Sequence, residues 1–389
     1  MSKVDDLIQE LCPDGVQRVA LSEVAQRQKG MPITATKMKE LAETPGMLRI
    51  YAGGQTQVDV DPRLIEEKYI INEPSVIVRS RGYIDFARSD GPFTHKNEMW
   101  SYSVKDARAN ISFIYYYLLT QRPALQLHAQ ATSVKLPQLS VADTDHLQIP
   151  LPPLEVQEEI ARILDQFVEL DRELEQEIAG RTVQFNQVRE DLISGASFPR
   201  VPVGSLATRV STGATPKAGE SRYYQDGDIP WLRTGEVNFG EVWETEKLIT
   251  QAALDETNVS WIAEHCVIVA ISGATAGRVA VNKIPMTTNQ HCCNMQINPE
   301  QADYRFVFHA LAASYEDLKA QGRGARGDLN TSIIKGFKIP LPPIEVQEEI
   351  ASQLDTFTEY IDNLKREREL RQKQYEHYRD QLLDFPVKE

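Results

Sequence analysis

Apolar residues at alternating spacings of three and four run through two stretches of this chain. The first carries Ile160, Leu164, Phe167, Leu174, Ile178, Phe185, Val188 and Leu192; the second carries Ile350, Leu354, Phe357, Ile361 and Leu364, resuming at Tyr375, Tyr378 and Leu382. That spacing is a heptad seam, which predicts two long helices that pack together. Charged residues interrupt the seam at Asp171 and Arg181 in one stretch and at Arg368 and Arg371 in the other. Each stretch opens on a proline pair, Pro152–Pro153 or Pro342–Pro343, which ends a preceding strand and fixes an extended entry. Glu155, Glu158 and Glu159 then place negative charge where a helix N-terminus favours it. Helices of about 40 residues, each about 60 Å long, follow. Elsewhere the pattern changes to short β-branched runs such as VIV at 76–78 and VIVA at 267–270, separated by loops rich in Gly, Pro and Thr, as in GATPKAG at 213–219. Those runs predict mixed α and β domains with strand-rich cores.

The two helical stretches are copies of one another. Residues 149–165 read IPLPPLEVQEEIARILD and residues 339–355 read IPLPPIEVQEEIASQLD, an offset of 190 that holds without a gap to Leu192 and Leu382. The segments ahead of them repeat more faintly. VALSEVA at 19–25 matches VPVGSLA at 201–207, PSVIVRSRGYIDF at 74–86 runs parallel to HCVIVAISGATAGRV at 265–279, and Leu139 and Leu329 stand at the same distance from their helices. A duplication of this period organises the whole chain. The expected order is a first globular domain over 1–150, a helix over 151–195, a second globular domain over 196–340 and a second helix over 341–389. The fold class is α/β of the α+β kind.

Composition changes the picture in one respect. The net charge of −14 is unlike that of a nucleic-acid binder, whose footprint is basic. The charge is unevenly spread, however: Leu154–Ile193 holds 11 acidic and 4 basic residues, and Ile344–Glu389 holds 12 and 7, so the helices account for −12 of the −14. The globular segments are close to neutral and free to carry a basic face. No apolar run reaches the roughly 18–20 residues of a membrane span, and the opening MSKVDDLIQE does not read as a signal peptide. Cys12, Cys266, Cys292 and Cys293 form no CxxC pair and no zinc spacing. A cytoplasmic location without structural disulfides, and without a metal or a cofactor, is the expectation.

Catalytic patterns are lacking. GATAGRV at 273–279 is too short for a phosphate loop and has no Lys, and neither a GxSxG elbow nor HExxH occurs. Glu66 and Lys68, with Asp59 and Asp61 upstream, give a faint trace of a metal-dependent nuclease, better explained as a charged surface. What the globular segments do carry is a set of polar, basic and aromatic residues on loops. In the first they are Arg27, Lys29, Arg79, Arg81, Tyr83, Lys96 and Asn97. In the second they are Thr215, Lys217, Arg222, Tyr223, Tyr224, Arg233, Thr234, Ser272, Thr275, Arg278, Asn289, Gln290, Arg323 and Arg326, the last two in the turn GRGARG at 322–327. Arg and Lys position a protein on phosphates, while Arg, Asn and Gln read base edges through paired hydrogen bonds. Recurrence of such loops in both copies points to DNA binding. A stand-alone repressor or scaffold built from the same duplicated domains is the competing reading, and a nuclease through Glu66 and Lys68 a more distant one.

With these motifs in view, the chain resembles the specificity (S) subunit of type I restriction–modification systems over its whole length. The mark is the twice-occurring IPLPP-L/I-EVQEEIA start of a long helix, joined by GATAGRV at 273–279, TTNQH at 287–291 and LNTSIIKGFKIPLPP at 329–343. The first domain departs from these patterns, with RSRGYIDF and LSVADTDHLQIPLPP in their place. The resemblance implies that each globular domain recognises one half of a bipartite double-stranded DNA target. It implies that the helices form an antiparallel coiled coil acting as spacer and as the dock for methyltransferase (M) subunits, two of them, joined by restriction nuclease–translocase (R) subunits. Glu155, Gln157 and Glu158, with Glu345, Gln347 and Glu348, are the residues expected at that dock. No catalytic role is expected of the chain itself.

Overall fold

The computed structural model describes residues 3–133, 135–194, 198–322 and 327–388. The chain divides into two compact units, one of residues 1–175 with 367–389 and the other of 176–366.

In the first unit a four-stranded antiparallel sheet runs in the order Ala25–Lys29, Trp100–Val104, Ser75–Arg79, Asp85–Ser89. All five residues of Ser75–Arg79 are buried, because the strand is covered on both faces. Val76 and Val78 join Phe113, Tyr116 and Leu118 of the helix Ile111–Thr132, whereas Ile77 turns the other way onto Tyr51, Phe93 and Met99. Tyr51 and Phe93 belong to a three-stranded sheet in the order Gln57–Val60, Leu48–Tyr51, Phe93–His95, whose last two strands are parallel.

The second unit repeats this plan. Ala207–Thr212, Cys292–Ile297, Val267–Ala270 and Val279–Asn282 follow the same order, extended by the short parallel strand Glu241–Val242. Val267 and Val269 pack on Phe306, Val307 and Leu311 of the helix Tyr304–Ala313, and Ile268 and Ala270 on the opposite core with Leu232 and Met286. Ile229–Leu232 pairs in parallel with Met286–Thr288, just as Leu48–Tyr51 does with Phe93–His95. The duplication therefore extends through both globular parts, where the sequence shows it only faintly. Cys292 and Cys293 are buried strand residues with free thiols that burial pushes up to about 12.

The repeated IPLPP segment has the same structural role twice. Gln148–Pro150 pairs antiparallel with Arg18–Ala20, and Lys338–Pro340 with Arg200–Pro202. Each proline pair then turns into a long helix, Leu154–Ser194 and Ile344–Leu382. Within the first unit the helices run antiparallel: Phe167 stacks on Tyr378 and tilts against Tyr375, and Asp171 accepts from Arg368 at 2.9 and 3.0 Å. Within the second unit Phe185 meets Phe357 edge to face at 5.6 Å, and the Arg181 guanidinium lies over the Tyr360 ring, whose hydroxyl donates to Glu177. The seam interruptions at Asp171, Arg181 and Arg368 thus meet complementary groups on the facing helix. Arg371 instead bonds Glu367 of its own helix. After the second helix, Phe385 packs into the first unit's core and Val387 bridges Val16.

Candidate nucleic-acid interface

Five loops converge at one end of the first unit. Met31 N–H donates to the His95 carbonyl at 2.8 Å, Asn97 N–H to Met31 and Lys96 N–H to Tyr51; Leu139 N–H donates to Ser80 and Gly82 N–H to Pro137. The second unit repeats the arrangement: Ala214 N–H donates to Thr288, Asn289 N–H to Leu232, Ile271 N–H to His291 and Leu329 N–H to Ile271. Leu139 and Leu329, equivalent by sequence, make equivalent bonds. Glycine is required where the strands enter: a Cβ on Gly30 would lie 2.2 Å from the His95 carbonyl oxygen, and one on Gly213 1.8 Å from that of Thr288. Inside the first cluster His95 bonds the Lys96 carbonyl and Ser101 hydroxyl, and burial pushes its pKa below the ordinary value, favouring the neutral ring.

The expected contact residues distribute unevenly over these clusters. Lys29, Arg81 and Asn97 are exposed at the first, and among the described residues neither cation has an ion-pair partner. Tyr83 is 59% exposed, with the Arg122 guanidinium 5.5 Å from its ring centre. Arg27 is exposed on the edge strand, 3.5 Å from Asp145. Lys96 sits 2.8 Å from Glu98, partly neutralised. Arg79 departs from its expected place: it is buried, donating to the Gly54 carbonyl and to Gln55, and so braces the 51–56 loop from below.

In the second unit Thr215 and Gln290 hydrogen-bond each other on the exposed side, beside the exposed Lys217. Thr234, Ser272 and Thr275 are half-buried around them, with the short helices Thr234–Glu236 and Gly273–Thr275 in contact. Asn289 is buried and caps the turn by accepting from His291 N–H. Arg233 is drawn to Glu246 and Glu236, and Arg278 donates to Asn238 at 2.8 Å. Tyr223 is a core residue whose hydroxyl meets Glu256; Arg222 shares that carboxylate, and Tyr224 donates to the Pro216 carbonyl. Arg323 and Arg326 lie outside the described residues. Sequence reading missed Arg209, exposed on the edge strand Ala207–Thr212. Extending the match of 19–25 with 201–207 by two positions pairs Arg209 with Arg27 and would have found it.

Two residues expected at a docking surface are interior anchors. Gln157 is fully buried, accepting from Asn110 N–H at 2.8 Å while donating to the carbonyls of Pro152 and Arg108. Gln347 likewise accepts from Asp303 N–H and donates to Pro342. Asn110 and Asp303 cap the domain helices, so each Gln ties a domain helix to the proline turn of its long helix. Glu155 and Glu158 are exposed on the first helix, and Glu345 and Glu348 are exposed on the second. The residues of the nuclease trace stand in ion pairs, Glu66 with Lys68, Asp59 with Arg49 and Asp61 with Arg63, and among the described residues no three His, Cys, Asp or Glu side chains come together to hold a metal. Nor is any described helix long and apolar enough to cross a membrane.

Duplicated strand-rich domains, each presenting a loop cluster of amides and uncommitted cations and each followed by a long helix, define a two-module DNA-recognition protein. Residues 13–179 and 201–372 each match the family described as the type I restriction modification DNA specificity domain. The chain belongs to that family and is a DNA specificity subunit of the type I kind. It is 28% identical over 306 residues to the EcoR124I/EcoR124II specificity subunit of Escherichia coli, covering 74% of each chain. It is also 25% identical over 309 residues to a putative type I specificity subunit of Mycoplasma pneumoniae, covering 76% of this chain and 78% of that one. Its fold is similar to the crystal structure of the type I S subunit from M. genitalium, with a TM-score of 0.64 at 14% identity, covering 95% and 96% of the two chains.

Proposed function

We propose that each recognition domain, 1–150 and 196–340, contacts one half of a bipartite DNA target through its loop cluster. The helices of 151–195 and 341–389 hold the two halves at a set spacing. They also dock methyltransferase subunits, two of them, which nuclease–translocase subunits join in the cytoplasm. The chain contributes recognition, and the catalytic groups belong to its partners. One observation carries this reading: the same loop convergence occurs in both units, built by equivalent hydrogen bonds around Leu139 and Leu329. Lys29, Arg81, Lys217, Arg278, Arg323 and Arg326 serve phosphates, with Arg27 and Arg209 on the edge strands. Tyr83, Asn97, Thr215, Thr234, Ser272, Thr275 and Gln290 lie where base edges are met. Arg79, Lys96, Tyr223, Arg233 and Asn289 support these loops, as do Gln157 and Gln347 the helix starts. Glu155, Glu158, Glu345 and Glu348 face the docked subunit.

The test is genome-wide methylation mapping of a host carrying this chain with its neighbouring methyltransferase subunit, against the methyltransferase alone. A two-part motif with a constant gap, seen only with the chain present, is expected. No new methylation from two proteins that are soluble and bound to each other would favour a repressor or scaffold instead.

A further inference from the structure

Gln55 stands at the tip of the hairpin that joins Leu48–Tyr51 to Gln57–Val60, where residues 53–56 are all exposed. Ala52 N–H donates to the Thr56 carbonyl and closes the loop. A Cβ on Gly53 or Gly54 would meet nothing within 4 Å, so the loop tip stands clear of the rest of the unit. Beneath it, Arg79 and Asp85 are cross-strand neighbours, and Gln55 spans the pair. Arg79 Nη1 donates to Gln55 Oε1 at 2.5 Å and to the Gly54 carbonyl at 2.7 Å, while Gln55 Nε2 donates to Asp85 Oδ2 at 3.4 Å. Asp85 also accepts from Arg122, whose guanidinium lies over the exposed ring of Tyr83. Gln55 is thereby tied into the face on which Tyr83 stands.

These partners fix the amide. A guanidinium can only donate and an ionised carboxylate can only accept, so the oxygen must face Arg79 and the nitrogen Asp85. The bond from Arg79 is short and charge-assisted, and Arg79 itself is buried, which holds that oxygen away from a ligand. The nitrogen has a second N–H beyond its long bond to Asp85. A Gln ordinarily reads adenine with both halves of its amide, accepting from N6 and donating to N7. Gln55 has lost the accepting half.

We propose that Gln55 is a specificity-determining residue, held by Arg79 as a donor only, which selects a keto base over an amino base at one position of the first domain's half-site. Guanine O6 and thymine O4 accept its N–H, whereas the amino groups of adenine and cytosine would set donor against donor. Arg79 acts through Gln55 as a positioning residue and does not itself meet DNA. The inference rests on the DNA-reading function proposed above and narrows it to one residue and one class of base.

In the second unit the same place is committed to the fold. Tyr51 pairs with His95 as Leu232 does with Thr288, so Glu236 stands where Gln55 does; the VIV runs at 76–78 and 267–269 likewise set Ala270 where Arg79 is. Glu236 accepts from Arg233 N–H at 3.0 Å and from Glu246 N–H at 2.7 Å, so both carboxylate oxygens close the loop on its own backbone. The oriented amide belongs to the first half-site alone.

The experiment gives the full chain, in complex with the methyltransferase subunit, a library of DNA duplexes with randomised targets, and sequences the methylated members. The wild type should yield a two-part motif in which one position of one half prefers guanine or thymine by about tenfold. Gln55→Ala should flatten that position alone. Gln55→Glu keeps one oxygen on Arg79 and turns the other, repelled by Asp85, outward as an acceptor. Preference should then pass to adenine or cytosine, whereas a residue that only braces the loop would lose preference without exchanging it. Arg79→Met frees the amide to accept as well as donate, and should admit adenine at that position while the other half of the motif stays as it was. Because Arg79 is buried, Gln55→Glu at the exposed tip decides the matter if Arg79→Met proves unstable in thermal unfolding. An unchanged motif in Gln55→Ala, a loss spread over all positions, or a Gln55→Glu preference that does not move to an amino base would overturn the assignment of Gln55. A wild-type complex that methylates no two-part motif would overturn the function proposed above, and this inference with it.

Discussion

At the scale of single residues, the recognition clusters separate into groups free to meet a ligand and groups committed to the fold. Lys217 is exposed and has no ion-pair partner among the described residues, so Lys217→Ala should weaken binding to every DNA sequence alike and lower the slope of log affinity against log salt by about 0.9. Gln290 is exposed and, among the described residues, bonded only to Thr215 and His291, so Gln290→Ala should instead relax preference at one base position by about 1–3 kcal/mol. Anisotropy titrations over a range of salt and of mutated sites distinguish the two; a Gln290→Ala loss equal at all sequences would make it a phosphate or structural contact. His309 affords a second prediction. Burial lowers its pKa below 6.5, so the unfolded chain binds more protons, and stability is retained above 6.5 and falls as pH drops below it. The hydrogen bonds from His309 and Arg305 outweigh burial and bring Asp355 down to about 2, so its contribution is lost only below 3.8. Urea midpoints of His309→Tyr should therefore lack the decline that begins near 6.5 but keep the one below 3.8. An unchanged decline would assign it to other groups.

At the scale of elements, what decides the outcome is how each strand or helix is covered. The runs at 76–78 and 267–270 read as strands from their β-branched residues, and burial on both faces follows from a helix on one side and a small sheet on the other. The helix Ile111–Thr132 was not legible, because it is apolar nearly all round and holds Pro123, a combination that imitates a broken strand region. In the coiled coil two of the charged interruptions of the seam, Asp171 and Arg368, find each other. Asp171 and Arg368 are each about 30% exposed or less, so the pair competes with the packing it replaces. Arg368→Leu alone should destabilise by about 1 kcal/mol, and adding Asp171→Leu should recover that loss or exceed it. A double-mutant cycle by urea unfolding measures the coupling; additive losses would show the two charges to be independent.

For the whole molecule, both long helices pass from one unit into the other, and the second returns the chain to the first unit's core at Phe385. If the helices set the spacing of the half-sites, removing one heptad from each should shorten the recognised gap by about 10 Å, or about 3 base pairs, and leave both half-sequences intact. Methylation mapping with the shortened chain reads this directly, and an unchanged gap would sink the spacer. The acidity of the chain fits this division of labour, since the helices hold −12 of the −14 and the domains that meet DNA are near neutral.

The duplication, the long helices and their common start were determined by the sequence itself, because a heptad seam and a 190-residue repeat are local periodic patterns that need no partner to be read. The same local chemistry showed which loops carry amides and cations. Tertiary structure alone decided which of those groups are available. Arg79 and Gln347 carry the same functional groups as Arg81 and Gln290, yet the first two are buried and bonded to backbone while the others face outward. Nothing in residue type distinguishes a donor that satisfies a buried carbonyl from one left free for DNA. That choice depends on which distant segments close over the loop, through contacts such as Leu139 to Ser80 and Leu329 to Ile271, and these are set only when the chain folds.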